Sequence, residues 1–392
     1  MRILAIHNFH RKGSSSGDDL VFNNETALLE KNGNTVIRYF VSNDEFDNAG
    51  IFGKLKKTLG MFWSFKHYRN VKKLCKKEKP DVVHIHTFFP LLSPSVLYAA
   101  KRSSCKVIAT LHDTRLVCPC ATSMCNGKLC NKCTDGKFFR MCKYGCFKGS
   151  KIQSFIVAMI FQYHKFRKTF HKQIDTYICL NDSQIDLLIK AGFDKNKIVK
   201  KYNFVKDLSQ DLPAIDTHLP ERYVVYYGRM GEEKGLPLLM KMWDEIDNIP
   251  LVLMGSGPLE ESVKLWANDK THVYYLGYTE RKSCLAIVKN AEFVVLPSVC
   301  YEGCSMVGIE TESLSKPLIA FNLGFFAEEI ENEKNGLLVS YKDTNEFCEK
   351  VRMLWEHSDL CKRMGRCARI SYEKKFSPQE NYQELLKIIC RV

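Results

Sequence analysis

The chain has 392 residues, enough for two or three domains that each bury a sizeable core. Hydrophobic residues make up 45% and charged residues 26%, which excludes long-range disorder and collagen-like repeats. The longest clean apolar run, residues 155–161, is far short of the ~20 residues that span a bilayer. Against 44 acidic residues stand 58 lysines and arginines, a net charge of +14. That surplus predicts attraction to something anionic, whether a nucleic acid, an acidic membrane or a phosphorylated substrate; the competing reading is solubility alone. Residues 1–7 lack a long apolar core and a cleavage site, so they read as a first strand and not as a signal peptide. The odd count of 17 cysteines, with no export signal, points to a reducing cytoplasm.

In chain order, residues 2–7 form a strand, 18–31 a helix with an apolar face of Leu20, Phe22, Ala27, Leu28 and Leu29, and 35–40 a second strand. Strands follow at 81–86, 106–111, 176–180 and 198–201, with helices at 94–102 and 183–191. Residues 206–221 have no period and read as a linker. The pattern restarts with strands at 222–227, 250–254, 273–276, 293–297, 317–321 and 336–339. Helices are expected at 235–246, 259–267, 281–290, 308–314 and 378–389. The expectation is two tandem Rossmann-like, doubly wound α/β domains facing a cleft, with ligands beyond the carboxyl ends of the strands.

The second half carries the strongest motifs. Strand 222–227 runs into Gly228-Arg229-Met230-Gly231-Glu232-Glu233-Lys234-Gly235, which sets two cations at the mouth of the sheet. Fixed cations in a water-poor site suit a diphosphate whose charge grows as it leaves. Strand 250–254 enters the tight turn Gly255-Ser256-Gly257. Strand 293–297 leads to Glu302, and a helix start at Ser305-Met306-Val307 places Glu310 one turn in. Helix-start N–H groups hold phosphate without side chains, while the two acids can equally be ordinary helix-start residues.

These strings, in this order and spacing, resemble the retaining glycosyltransferases of family 4, which have the GT-B fold. The resemblance implies that Arg229 and Lys234 contact the donor diphosphate, that Ser305, Met306 and Val307 add backbone contacts, and that Glu310 binds the donor ribose. Glu302 would touch the donor sugar and Tyr278 would sit near the base. Gly257 and Gly17 belong to the donor-binding set. The family usually has paired glycines where this chain has Ser16-Gly17. A sugar-contacting histidine is implied at His112, with His86 and Asp113 as acceptor-side candidates. His112, Glu302, Arg229 and Lys234 make up the catalytic set, with no protein nucleophile named. No cofactor is implied for catalysis, because the cations and the helix dipole do the work of a divalent ion.

The domains expected are 1–205 for the acceptor, with a cysteine-rich insert at 118–146, the linker 206–221, 222–376 for the nucleotide sugar, and a helix at 377–392 crossing back to the first domain. The insert holds seven cysteines, and Cys130-x-x-Cys133 has the spacing of a zinc knuckle. A structural zinc on Cys118, Cys130, Cys133 and Cys146 is one reading, an iron–sulfur cluster a rival, and free thiols in a loop the third. A subgroup of the family carries a similar insert. Residues 54–79 hold ten Lys or Arg against Glu78 alone, and 151–172 repeat the style, which suits anionic lipid headgroups. The expected partners are a UDP- or GDP-sugar, a glycan or lipid-linked saccharide acceptor and an anionic membrane surface, with no nucleic acid. The expected role is transfer of a hexosyl or N-acetylhexosaminyl group in bacterial surface-polysaccharide assembly, on the cytoplasmic face of the cell membrane. The rivals are a nucleotide-sugar epimerase or hydrolase of the same fold and a basic zinc-containing nucleic-acid-binding protein.

Overall fold

The computed structural model describes residues 1–11, 17–48, 50–215 and 218–391. The small-residue loop expected over Gly13 to Ser16 lies outside the described residues. The chain divides into two compact units: Met1–Asn126, Cys130–Tyr202 and the stretch from Tyr382 onward form one, and Asn203–Asn381 with Gly127–Leu129 form the other.

In the first unit, strands β1 (Arg2–Phe9), β2 (Thr35–Ser42), β3 (Val82–Ile85) and β4 (Lys106–Leu111) are followed by the short β5 (Met124–Cys125), β6 (Lys128–Leu129) falls in the other unit, and β7 (Thr176–Cys179) and β8 (Ile198–Lys200) complete the sheet. Its order is β2-β1-β3-β4-β7-β8, parallel throughout. Val82–Ile85 and Thr176–Cys179 are buried along their whole length, as the central strands of a doubly covered parallel sheet must be. On one face Ile3, Val82, Ile108 and Ile178 pack against Leu29 and against Leu385, Ile388 and Ile389 of the C-terminal helix Pro378–Arg391. The first helix, Gly17–Lys31, buries Val21, Phe22, Glu25, Thr26 and Leu29, so its inner face carries a carboxylate where the apolar residues alone were expected.

The second unit comprises β9 (Val224–Tyr227), β10 (Leu251–Met254), β11 (Val273–Gly277), β12 (Val294–Leu296), β13 (Leu318–Phe321) and β14 (Gly336–Val339), in the order β11-β10-β9-β12-β13-β14, again parallel. Two helices, Thr344–Glu356 and Ser358–Lys375, fold a stretch for which the sequence reading gave no element. They are bound back to the start of the unit: Arg369 pairs with Asp207 at 2.6 Å and Tyr372 donates to the Val205 carbonyl at 3.0 Å. In both units strand order reverses beside the first strand, at β1/β3 and at β9/β12. The loops leaving a reversal diverge and open a crevice at the carboxyl edge.

Gly235 shows how tightly the β9 loop is packed. Its φ is +75°, and a Cβ there would lie 1.8 Å from the Pro297 carbonyl oxygen. Gly33 has φ +80° with nothing within 4 Å. Gly33→Ala should therefore cost only the left-handed backbone penalty, about 1–2 kcal/mol. Gly235→Ala must also displace main chain and should cost at least about twice that in urea unfolding. Equal costs would contradict the packing described.

Candidate functional site

Of the residues expected to bind the donor, Arg229, Lys234, Glu302, Ser305, Met306, Val307 and Glu310 lie on the segments that follow β9 and β12, at the strand-order reversal. Lys234 ends a single 3-10 turn after β9, and its Nζ lies 2.6 Å from Glu302 Oε1, which also accepts from Ser298 Oγ at 2.8 Å. Burial works against the Lys234 charge, but the Glu302 carboxylate outweighs it and holds the ammonium above its ordinary range. Arg229 is 59% exposed and turns to Glu233, with Nε 3.2 Å from that carboxylate. The loop that carries it is fixed from below by the Tyr226 hydroxyl, which donates to the Arg229 carbonyl at 2.8 Å. The Gly257 turn clasps the same loop. Met230 N–H donates to the Ser256 carbonyl at 2.9 Å, and a Cβ on Gly257 would meet the Met230 carbonyl oxygen at 2.5 Å.

Helix Met306–Ser313 starts two residues earlier than expected, with Ser305 as its N-cap; Ser305 Oγ accepts from Gly308 N–H at 3.2 Å. The N–H groups of Met306 and Val307 have no partner among the described residues. Tyr227, the last residue of β9, donates from its hydroxyl to the Val307 carbonyl at 2.9 Å, so strand end and helix start are locked together. Glu310 is buried. Its Oε1 lies 2.6 Å from Arg281 Nη2, and burial raises its carboxyl against the pull of that guanidinium. Arg281 was not singled out from sequence, although a cation opening the helix after β11 was visible there. Tyr278, between β11 and that helix, is 69% exposed. Two cations, unpaired helix-start N–H groups and a buried carboxylate one turn further on suit a ligand that is phosphate at one end and polyhydroxylated beside it.

In the first unit the residues at the β1/β3 reversal form a buried polar stack. His112 Nε2 lies 3.1 Å from His86 Nδ1, with the two rings stacked at 5.3 Å. Behind them His84 Nδ1 and His86 Nε2 lie 3.0 and 3.2 Å from Glu25 Oε1, and Lys201 Nζ lies 3.1 Å from Glu25 Oε2. All four side chains are only 1% exposed. Burial would push the Glu25 carboxyl up, but Lys201, then His84 and His86, hold it well below the carboxylate range. Three of these residues offer ligand atoms within 4.8 Å of one another, and the cation present among them is the Lys201 ammonium. His86, expected on the acceptor side, has an enclosed ring whose Nδ1 faces His112. Asp113 is engaged by Arg115, at 2.7 Å to its N–H and 3.1 Å to its guanidinium. Gly17, exposed, opens the first helix. Glu25 and Lys201 escaped the sequence reading. The available signal was a carboxylate at a buried position of an amphipathic helix.

Among the described residues, no three cysteine, histidine or carboxylate ligand atoms of the insert lie within 4.8 Å of one another, so Cys118, Cys130, Cys133 and Cys146 do not form such a group. Within the insert, Cys118 Sγ lies 3.2 Å from Cys120 Sγ. The hydrogen bond from Cys118 lowers the Cys120 thiol to about 6 and raises that of Cys118, while burial pushes Cys133 and Cys146 up to about 11 and about 12. Cys120 is therefore the thiol of the pair that ionises first, and thiolate is the reactive form. Iodoacetamide labelling read by peptide mass spectrometry should modify Cys120 first, with a rate midpoint below that of an ordinary thiol that moves up in Cys118→Ala. Uniform labelling of the insert thiols would contradict this geometry.

Comparison with known proteins places both units. The family described as glycosyltransferase family 4 matches residues 45–207, and the family described as glycosyl transferases group 1 matches 211–371. The chain is 24% identical over 325 residues to an uncharacterized glycosyltransferase of Methanocaldococcus jannaschii, covering 82% of this chain and 79% of that one. It is 26% identical over 227 residues to the poly(ribitol-phosphate) alpha-N-acetylglucosaminyltransferase of Staphylococcus aureus, covering 55% and 44%. The fold matches that of HepE from Anabaena, solved in complex with UDP, with TM-score 0.68 at 14% identity over the whole of both chains. With the two family models meeting near the boundary between its two parallel-sheet units, the chain is a glycosyltransferase of GT-B architecture.

Proposed function

We propose that the chain is a retaining, family 4 type transferase that moves a hexosyl or N-acetylhexosaminyl group from a UDP-sugar to a glycan or lipid-linked saccharide in surface-polysaccharide assembly. The observation that carries the donor reading is the Lys234–Glu302 pair beside the unpartnered N–H groups of Met306 and Val307. Uridine as the base draws support from the UDP complex of HepE, and a polymer acceptor from the name of the staphylococcal relative.

In this reading the diphosphate takes Lys234, Arg229 and the helix-start N–H groups as its counter-charge. Lys234 then turns from Glu302 towards phosphate, and the freed Glu302 oxygen accepts from a sugar hydroxyl. Glu310 exchanges Arg281 for ribose hydroxyls, an exchange helped by the burial that already destabilises its charge. The acceptor oxygen bonds to the anomeric carbon on the face from which the diphosphate departs, and the acceptor proton passes to the leaving phosphate oxygen. Negative charge develops at the diphosphate, where fixed cations and the helix dipole stabilise it without reorganisation, the part a divalent ion plays elsewhere.

A lipid-linked acceptor on an anionic cytoplasmic membrane face fits the surface of the first unit. Helix Lys151–Phe166 leaves Ile152 75% and Phe166 84% exposed, with Phe155 and Tyr163 between them on the same stripe. Ten cations lie within residues 54–79, in and beside helices Ile51–Gly60 and Phe65–Glu78. Apolar residues rimmed by Lys and Arg seat a helix at the headgroup boundary. No helix among the described residues is long and apolar enough to cross a membrane.

The test is release of nucleoside diphosphate from UDP-glucose, UDP-N-acetylglucosamine and GDP-mannose, with the product anomer read by NMR. Lys234→Ala should cut kcat/KM at least about a hundredfold, and Glu310→Ala should raise the donor KM about tenfold. Unchanged kinetics in both variants would overturn the donor site, and an inverted anomer would overturn retention. Sedimentation with vesicles containing phosphatidylglycerol should fall in Ile152→Ser/Phe166→Ser, and undiminished binding would remove the helix from the membrane account.

A further inference from the structure

We infer that Glu25 and His86 are positioning residues that fix the proton of His112 on Nε2 and leave its Nδ1 as an acceptor for a ligand hydroxyl. The inference rests on the reading of His112 as a substrate contact and goes beyond it to the form in which that ring is presented.

The chain of reasoning starts from burial. Glu25 projects from the inner face of helix Gly17–Lys31 into a site that water does not reach. A carboxylate there persists only with a partner of opposite charge. Lys201, held next to β8 by its N–H bond to the Cys179 carbonyl at 3.0 Å, supplies that charge at Oε2. The other oxygen, Oε1, remains turned to His84 and His86. An ionised oxygen 3.2 Å from an imidazole nitrogen in a dry site requires a proton on that nitrogen, because two lone pairs at that distance repel. Glu25 Oε1 and His86 Nε2 do not meet the alignment of a hydrogen bond, so the constraint between them is electrostatic.

His86 therefore carries its proton on Nε2. Burial holds this imidazole neutral, well below its ordinary range, so Nδ1 is a lone pair. The atom facing that lone pair at 3.1 Å is His112 Nε2, which must donate. His112 is likewise kept neutral by burial, so its Nδ1 is the acceptor, and that atom has no hydrogen-bond partner among the described residues. His84 completes the set: its Nδ1 faces Glu25, and its Nε2 lies 2.8 Å from Thr110 Oγ1.

Glu25→Gln makes the claim testable, because it inverts the arrangement with little change of shape. Lys201 needs an oxygen and keeps the amide carbonyl, so the amide NH2 faces the imidazoles. His86 then takes its proton on Nδ1 and donates to His112 Nε2, which moves the His112 proton to Nδ1. Nitrogen-15 NMR of the full chain labelled at histidine should show His112 as the Nε2–H tautomer in the wild type and as the Nδ1–H tautomer in Glu25→Gln. His86→Leu leaves the Lys201–Glu25 pair intact and should let His112 populate both tautomers, so the claim stays testable if Glu25→Gln does not fold. In UDP-glucose turnover, Glu25→Gln should lower kcat about tenfold at unchanged donor KM. An unchanged His112 tautomer in the folded variants would overturn the inference. So would a stoichiometric divalent metal in the purified protein that is lost in Glu25→Gln, because a metal among these atoms needs the opposite protons. Inverted tautomers with full turnover in both Glu25→Gln and His112→Ala would leave the proton arrangement standing and overturn the substrate role of His112.

Discussion

A diphosphate needs positive charge that is already in place, and in the proposed reading the second unit provides it through a constraint of chain topology. A parallel sheet whose strand order reverses beside its first strand sends two loops apart at one edge. Here those loops follow β9 and β12. One delivers Arg229 and Lys234, and the other ends in the free N–H groups of Met306 and Val307. The clasp of the Gly257 turn, the lock between Tyr227 and Val307 and the bond from Tyr226 to the Arg229 carbonyl fix the main chain of the loop and helix start that carry these donors. Preorganised donors of this kind lose no energy to rearrangement when charge develops.

In the proposed reading Glu302 and Arg281 are the groups a donor displaces: Glu302 pairs with Lys234 and Arg281 with Glu310. Each pair neutralises a charge that would otherwise be stranded; Lys234 exchanges its carboxylate for a phosphate of the same sign, and Glu310 exchanges its guanidinium for neutral ribose hydroxyls. The first unit solves a harder version of the problem. Its carboxylate, Glu25, is sealed from water and permanently paired with Lys201, so its influence passes outward only through His86 to His112. One buried charge thereby defines the protons of a ring at the β4 end.

The fold and the donor motifs were legible because both are written in local pattern. Apolar runs ending in polar residues gave the strands to within two residues, and Gly228 to Gly235 and Glu302 to Glu310 stand where the sheet order makes them useful. What escaped needed three dimensions. Glu25 and Lys201 are 176 residues apart, and nothing in either neighbourhood announces the other. His86 was read as a ligand contact because it ends a strand, and its neighbour Glu25 was not visible from that position. Arg281 is an unremarkable helix-start cation until it is found against Glu310. The helices Thr344–Glu356 and Ser358–Lys375 bury Phe347, Cys348, Val351 and Leu354, and Cys361, Met364, Gly365, Ala368 and Tyr372, at helical spacing, so their period stood in the sequence and was passed over among the charged residues between them.

The central claim is that the second unit holds a diphosphate by fixed cations and helix-start N–H groups. Calorimetric titration of the intact chain with UDP and with UMP, each at two salt concentrations, tests it most directly. The account predicts that UDP binds at least about tenfold more tightly than UMP, and that this advantage shrinks as salt screens the cations. Equal affinity for the two nucleotides, or an advantage indifferent to salt, would contradict it.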